Sequence, residues 1–126
     1  MNTDEIEKLS LGSVCWVELH TQDIVSSGDF YCKLFGWSTE ELIQGEKYYY
    51  FFQYHGNNVA GMLHSSIHVE RQPFWLNYIV VDDVEKVVEH ARKMQGIVHI
   101  GPMALPQGKF AILEAQNLSL IGIYQA

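Results

Sequence analysis

The sequence predicts an α+β fold made of two modules, each with the element order β-α-β-β-β. The first observation is an internal repeat at an offset of 60 residues, which pairs Asp23 with Asp83 and Gly36 with Gly96. The second is that each aspartate follows a run of β-branched and aromatic residues and precedes a segment with helical periodicity. The third is a turn-forming cluster between two strand-like runs late in each half.

The elements of the first half follow from local patterns. Asp23 precedes a stripe of apolar residues that ends at Gly36, which predicts a helix that is weakened in its middle by Gly28. The residues His55-Gly56-Asn57-Asn58 form a turn between two strands of a hairpin. The strands expected in this half are residues 14–21, 41–43, 47–54 and 59–62.

The second half repeats this order. Apolar residues at i, i+3, i+4 and i+7 predict a helix that Asp82 or Asp83 caps at its start and Gly96 ends. The residues of this stripe are Val84, Val87, Val88 and Ala91. A turn around residues 116–117 predicts the second hairpin. The strands expected in this half are residues 75–81, 97–100, 109–114 and 118–124.

Composition and charge exclude several classes of function. Fifteen acidic and eight basic residues give a formal net charge of −7, so we expect binding to neither nucleic acid nor an anionic membrane. The first 11 residues carry several charges, and we expect no signal peptide or membrane anchor. Cys15 and Cys32 have no metal-binding or redox spacing, which predicts reduced thiols and a cytoplasmic location.

Four motifs carry a resemblance to a known family. They are W-x-E-L-x-T-x-D at residues 16–23, F-Y-x-x-L-F-G-W at 30–37, V-A-G-M at 59–62 and W-x-x-Y-x-x-V-D-D at 75–83. With them, residues 14–124 resemble the vicinal oxygen chelate superfamily, which includes glyoxalases, bleomycin-resistance proteins and extradiol dioxygenases. The F-Y-x-x-L-F-G-W motif is the most specific. The closest resemblance is to a glyoxalase-like subgroup whose members are labelled hydroxylases without an assigned reaction.

The resemblance implies an architecture. The two βαβββ modules would form a curved mixed sheet around a cleft, with the helices outside. Residues 1–13 would be an N-terminal extension, and residues 14–126 a single glyoxalase-like domain. Its first module would span residues 14–68 and its second module residues 72–126.

The resemblance also implies where a metal would bind. In metal-dependent members, histidine and glutamate ligands come from the first and last strands of each module. The matching first-strand positions here are Trp16 and Leu76, or Trp75 if the register shifts by one, and the last-strand positions are Gly61 and Gly122. None of these side chains donates an electron pair to a metal. We therefore expect no metal and no cofactor.

Strand alternation selects the candidate site. The apolar residues Val17 and Leu19 should face the helix, which leaves the intervening polar and aromatic residues on the face that lines the cleft. The candidate ligand-binding residues are Trp16, Glu18, His20, Trp75 and Tyr78. Glu18 and His20 have Cβ atoms roughly 7 Å apart, close enough for one ligand to touch both, and they are the candidate catalytic acid and base. The alternative is a structural pair that ties strands together.

The expected function is small-molecule binding in a metal-free cleft, in the manner of glyoxalase and bleomycin-resistance proteins. Two alternatives stay open: a lyase, isomerase or hydroxylase-like enzyme that uses Glu18 and His20, and a protein that sequesters a drug or metabolite without turnover. An aromatic content of 13% favours a homodimer. His64 and His68 have i, i+4 spacing but lie in a polar segment, which indicates a surface connector.

We predict that the purified protein holds no stoichiometric divalent metal in its cleft, because the side chains at the implied ligand positions cannot coordinate one. Elemental analysis of the purified protein measures this directly. About one zinc, nickel or iron per chain, lost on substitution of a cleft residue, would contradict the prediction. Metal held only through His64 and His68 would leave it standing.

Overall fold

The computed structural model describes residues 10–45, 47–67, 73–117 and 119–126. Within these residues the chain forms the expected eight strands and two helices, which confirms the α+β fold with two βαβββ modules. In chain order the elements are β1 (Val14–Thr21), α1 (Ile24–Phe35), β2 (Ser38–Gln44), β3 (Lys47–Tyr54), β4 (Asn57–His64), β5 (Phe74–Val80), α2 (Val84–Lys93), β6 (Ile97–Leu105), β7 (Gly108–Glu114) and β8 (Leu120–Gln125).

The chain divides into two compact units. The first unit is Trp16–Trp75, and the second unit comprises residues 10–15 together with Leu76–Ala126. In the first unit the strand order is β2-β3-β4-β1, and β1 runs parallel to β4. In the second unit the order is β6-β7-β8-β5, and β5 runs parallel to β8. The two units therefore share one topology, as the internal repeat predicts.

Aspartate side chains begin both helices. Asp23 accepts a hydrogen bond from the backbone N–H of Ser26 at 3.0 Å, and Asp83 accepts one from that of Lys86 at 3.1 Å. These bonds satisfy N–H groups that have no partner within the helix. Helix α1 ends at Gly36 in the left-handed conformation, with φ of 72°. Both expected starts and the first expected end are confirmed.

The end of α2 differs from the expectation. Gln95, with φ of 64°, takes the left-handed conformation that was expected of Gly96. The Gly96 N–H instead donates to the carbonyl of Ala91 at 2.8 Å. A Cβ at position 96 would lie 3.0 Å from that carbonyl oxygen, so the glycine is needed for close approach rather than for its dihedral angle.

Each unit has an apolar core between its helix and its strands. In the first unit the buried residues are Leu19, Phe52, Ala60 and Met62. In the second unit they are Val84, Val88, Ala111, Leu113 and Ile123. Gly28, which weakens the helix by propensity, lies where a Cβ would be only 3.3 Å from Met62 Cε. The glycine therefore lets α1 approach the sheet closely.

The first hairpin turns through two residues with positive φ, His55 at 49° and Gly56 at 80°. This turn chemistry matches the twist of the strands it joins. The strand resumes at Asn57, so the turn is shorter than the expected four-residue cluster. Neither helix among the described residues is long and apolar enough to cross a membrane.

We expect Asp83→Ala to lower the free energy of unfolding by about 1 kcal/mol, because it removes the cap of α2. Urea denaturation followed by circular dichroism measures the change. Asp82→Ala is the matched control, since Asp82 is the exposed neighbour and the structure assigns the cap to Asp83. Equal losses in both variants would contradict the assignment.

Candidate functional site

Strand β1 presents two chemically different faces. Val17 and Leu19 pack in the apolar core beneath α1, as the alternation predicts. Glu18 and His20 point to the opposite face, and both are buried, with 6% and 1% of their surface exposed. Since an ionised carboxylate is costly to bury without partners, its contacts decide what this face can do.

The Glu18 carboxylate is held by two side chains. His20 Nε2 lies 2.7 Å from Oε1, and the Tyr49 hydroxyl donates to Oε2 at 2.8 Å. The contact between Glu18 and His20 is direct, although their positions two residues apart on one strand favour parallel side chains. Hydrogen bonds to an ionised acceptor are stronger than neutral ones, so these bonds offset part of the desolvation cost.

Tyr49 links the carboxylate to an indole. Trp16 Nε1–H donates to the Tyr49 hydroxyl at 2.9 Å, and that hydroxyl passes its own hydrogen to Glu18. Burial raises the pKa of Tyr49 well above its usual range, and the Glu18 carboxylate raises it further. Tyr49 therefore keeps its proton and acts as a hydrogen-bond donor.

The other ring nitrogen of His20 faces a serine. Nδ1 lies 3.4 Å from Ser65 Oγ, which also lies 3.1 Å from both the N–H and the carbonyl of Ile67. A hydroxyl has one hydrogen. When it points to Nδ1 the imidazole is neutral, and when it points to the Ile67 carbonyl, Nδ1 carries a proton and donates. Nε2–H donates to Glu18 in both arrangements, so the pair can accept a proton without losing its contact.

We call these five residues, namely Trp16, Glu18, His20, Tyr49 and Ser65, the polar cluster. Sequence reasoning found three of them and missed two. Tyr49 lies in a run of aromatic residues whose alternation does predict that half of them face a pocket. Ser65 follows β4 and carries no signal of its own. The ring of Phe74, also missed, stacks on His20 with centroids 4.9 Å apart.

The structure does not bring the other two predicted ligand residues to this cluster. Trp75 lies on the helix side of the first unit, where its indole N–H donates to the Tyr31 hydroxyl at 3.2 Å. Tyr78 belongs to the second unit, where its ring covers Gly122 and meets the ring of Phe110 edge-on at 6.5 Å. Both therefore stay predictions as ligand contacts.

The residues at the implied metal positions do not fit a metal. A Cβ at Gly61 would collide with the Tyr49 hydroxyl, and one at Gly122 would collide with the ring of Tyr78. Tyrosine groups thus fill the space that a ligating side chain would need. The Trp16 N–H is a donor only. Among the described residues no group of three or more histidine, cysteine, aspartate or glutamate side chains could hold a metal ion.

The second unit lacks this chemistry at the corresponding positions. At an offset of 60 residues, Glu18 corresponds to Tyr78 and His20 to Val80. A different pair, His99 and Glu114, lies elsewhere in this unit, with Nε2 and Oε1 2.9 Å apart. The polar cluster is therefore a property of the first unit.

The remaining candidates contribute no reactive group. Cys15 and Cys32 are free and half-buried, and burial raises the pKa of each thiol, so both disfavour the nucleophilic thiolate. His64 is exposed at the end of β4. His68 lies outside the described residues, so the spacing of these two histidines stays a sequence observation.

The comparisons with known proteins agree with this fold. Residues 13–115 match the family model of the Glyoxalase/Bleomycin resistance protein/Dioxygenase superfamily. The chain belongs to this superfamily. It is 28% identical over 120 residues to the protein named "Putative glyoxylase CFP32" in Mycobacterium bovis and Mycobacterium tuberculosis. The match covers 91% of this chain and 46% of theirs, so the chain spans about half the length of these relatives.

Solved structures show the same fold at low identity. A Mn(II)-bound glyoxalase from Novosphingobium aromaticivorans is 14% identical, with a TM-score of 0.58, over 91% of this chain and 39% of its own. A methylmalonyl-CoA epimerase from Streptomyces coelicolor is 12% identical, with a TM-score of 0.62, over 93% of this chain and 99% of its own. The epimerase from Mycobacterium tuberculosis is 12% identical, with a TM-score of 0.56, over 95% and 93%.

We predict that stability falls as the pH rises above about 10, the usual pKa of tyrosine. The folded chain holds the Tyr49 proton more tightly than the unfolded chain, so stability is complete below pH 10 and is lost above it. Tyr49→Phe should cost about 1–3 kcal/mol near neutral pH, since Glu18 loses a donor, and should flatten the alkaline decline. Urea denaturation across pH measures both effects.

The matched control is Tyr50→Phe, because Tyr50 is adjacent in β3 but packs against the apolar core beneath α1. It should leave the alkaline decline as in the wild type. A Tyr49→Phe variant with an unchanged pH profile would contradict the role of its hydroxyl.

Proposed function

We propose that the chain binds a small molecule at the polar cluster, with Glu18 as its principal polar contact. The observation that carries the proposal is the buried Glu18 carboxylate, held by His20 and Tyr49 on the face of β1 opposite the helix. Such a network is costly to build for stability alone, because apolar residues of similar volume often do as well. The second unit has the same topology with apolar residues and tyrosine at these positions.

The side chains divide the work by their accessibility. The Glu18 side chain keeps 8% of its surface exposed, whereas that of His20 keeps 2%. Trp16 and Tyr49 are only partly buried. In this proposal Glu18, Trp16 and Tyr49 touch the ligand, while His20 acts through Glu18 by fixing the carboxylate and sharing its proton. The aromatic rings of Trp16 and Phe51, which meet edge-on at 6.2 Å, supply apolar contact.

A second candidate is proton transfer by the same residues, as in a lyase, an isomerase or a hydroxylase-like enzyme. The 2.7 Å contact between His20 and Glu18, together with Ser65 on the far ring nitrogen, favours it. Glu18 would remove a proton from the ligand and the imidazole would stabilise the result. The names of the relatives, a glyoxylase and epimerases, support a small-molecule ligand. Sequestration without turnover remains the third candidate.

We include a homodimer and a cytoplasmic location in the proposal. Large apolar side chains of α1 are exposed on the surface of the first unit, namely Val25, Phe30 and Leu34. Exposed apolar patches of this kind often mark interfaces between protein chains. They support self-association on a surface separate from the polar cluster.

The proposal is tested with Glu18→Gln and His20→Asn. The probes are small carboxylic acids, aldehydes and acyl thioesters, including methylmalonyl-CoA, screened by thermal shift and then titrated by calorimetry. Glu18→Gln should weaken binding of the best probe roughly 10- to 100-fold, because a charge-assisted hydrogen bond is lost. His20→Asn should weaken it less, since His20 acts indirectly.

The matched control is Glu114→Gln, which removes a carboxylate from the other histidine–glutamate pair. It should leave affinity unchanged. Circular dichroism verifies that each variant folds. Wild-type affinity in folded Glu18→Gln would place the ligand elsewhere and make the pair structural. Turnover of the probe by the wild type, lost in Glu18→Gln, would separate catalysis from sequestration.

A further inference from the structure

A second concave feature lies on the helix side of the first unit. It is a hollow of about 270 Å³ lined by Val17, Tyr31, Phe35, Trp37 and Trp75. Val17 faces away from Glu18 along β1, so this hollow and the polar cluster lie on opposite faces of the strand. The inference below neither uses the polar cluster nor rests on the proposed function.

Aromatic rings surround the hollow in a closed circuit. The successive centroid distances are 6.2 Å for Tyr31–Phe35, 4.9 Å for Phe35–Trp37, 5.0 Å for Trp37–Phe52, 6.2 Å for Phe52–Trp75 and 5.0 Å for Trp75–Tyr31. Phe52 is fully buried and anchors the circuit in the core. Because each ring packs on the next, the walls are positioned before any ligand arrives. We call this feature the aromatic bowl.

The polar atoms of the bowl bind each other. The Trp75 N–H donates to the Tyr31 hydroxyl at 3.2 Å. The remaining lining side chains, Val17, Phe35 and Trp37, offer a ligand no hydrogen-bond acceptor. An ammonium group with N–H donors would therefore lose its hydration without replacement, which is costly.

Charge favours a cation in this unit. Seven acidic and three basic residues lie between Trp16 and Trp75. Aromatic faces carry a negative quadrupole, and tryptophan attracts cations most strongly. The hollow is smaller than the roughly 300–1,000 Å³ of typical ligand pockets, so it suits a compact group rather than an extended molecule.

We infer that the aromatic bowl binds a quaternary ammonium group, such as the trimethylammonium head of a small metabolite. This group is compact and positively charged, and its methyl surface requires no hydrogen bonds. It therefore matches the size, the charge and the apolar walls of the bowl together. A neutral apolar group would match only the size and the walls, and an anion would be opposed by the charge.

The test compares choline with 3,3-dimethyl-1-butanol, its neutral analogue of nearly the same shape. Both are titrated into the full-length chain while the indole N–H signals are followed by ¹H–¹⁵N NMR. Choline should bind roughly 3- to 30-fold more tightly than the neutral analogue, the range expected for cation–π attraction. The signals of Trp37 and Trp75 should move. That of Trp16, on the opposite face, is the internal reference.

Two variants locate the site. Phe35→Leu removes one wall whose side chain is 49% exposed, so the fold should be retained, and choline affinity should fall roughly 3- to 10-fold. Trp37→Leu should lower it by at least as much. The matched control is Tyr48→Leu, which removes an exposed aromatic ring of the same unit outside the bowl and should leave affinity unchanged.

Each other outcome overturns the inference. Equal or tighter binding of the neutral analogue would make the bowl a simple hydrophobic pocket. Movement of the Trp16 signal alone, or unchanged affinity in Phe35→Leu and Trp37→Leu, would place choline elsewhere. Absence of choline binding would leave no cation site. If sedimentation then shows a dimer that Phe35→Leu dissociates, a second copy of the chain covers the bowl.

Discussion

The buried Glu18 carboxylate is the constraint on which the first unit depends. A charge removed from water requires hydrogen bonds, and His20 and Tyr49 provide them from within the same sheet. To reach Glu18, the Tyr49 hydroxyl occupies the space beside Gly61, the residue opposite Glu18 in the register of β1 and β4. Glycine at position 61 is thus a consequence of the carboxylate's partners.

The two units show how one topology accommodates different chemistry. Both carry a helix capped by aspartate, a parallel pair of first and last strands, and a glycine opposite the central residue of the first strand. That residue is Glu18 in one unit and Tyr78 in the other, opposite Gly61 and Gly122. Membership of the superfamily therefore identifies the fold, while the chemistry follows from a few side chains placed on it.

Strand β1 gives the first unit two surfaces of opposite character. Its even-numbered residues from Trp16 to His20 form a hydrogen-bonded network, and its odd-numbered residues support aromatic packing beneath α1. Because successive side chains of a strand point to opposite faces, a ligand on one face has no direct contact with the other. The polar cluster and the aromatic bowl can therefore evolve separately while sharing one strand.

The sequence by itself determined the two modules, both helix caps and the faces of β1, because each depends on periodicity and side chains within about ten residues. Only the tertiary structure decided the membership of the polar cluster. Tyr49 and Ser65 reach it across 31 and 45 residues of chain, and Phe74 rather than Trp75 stacks on His20. The physical reason is register: a shift of one residue turns every side chain of a strand to the other face, and local pattern does not fix that pairing.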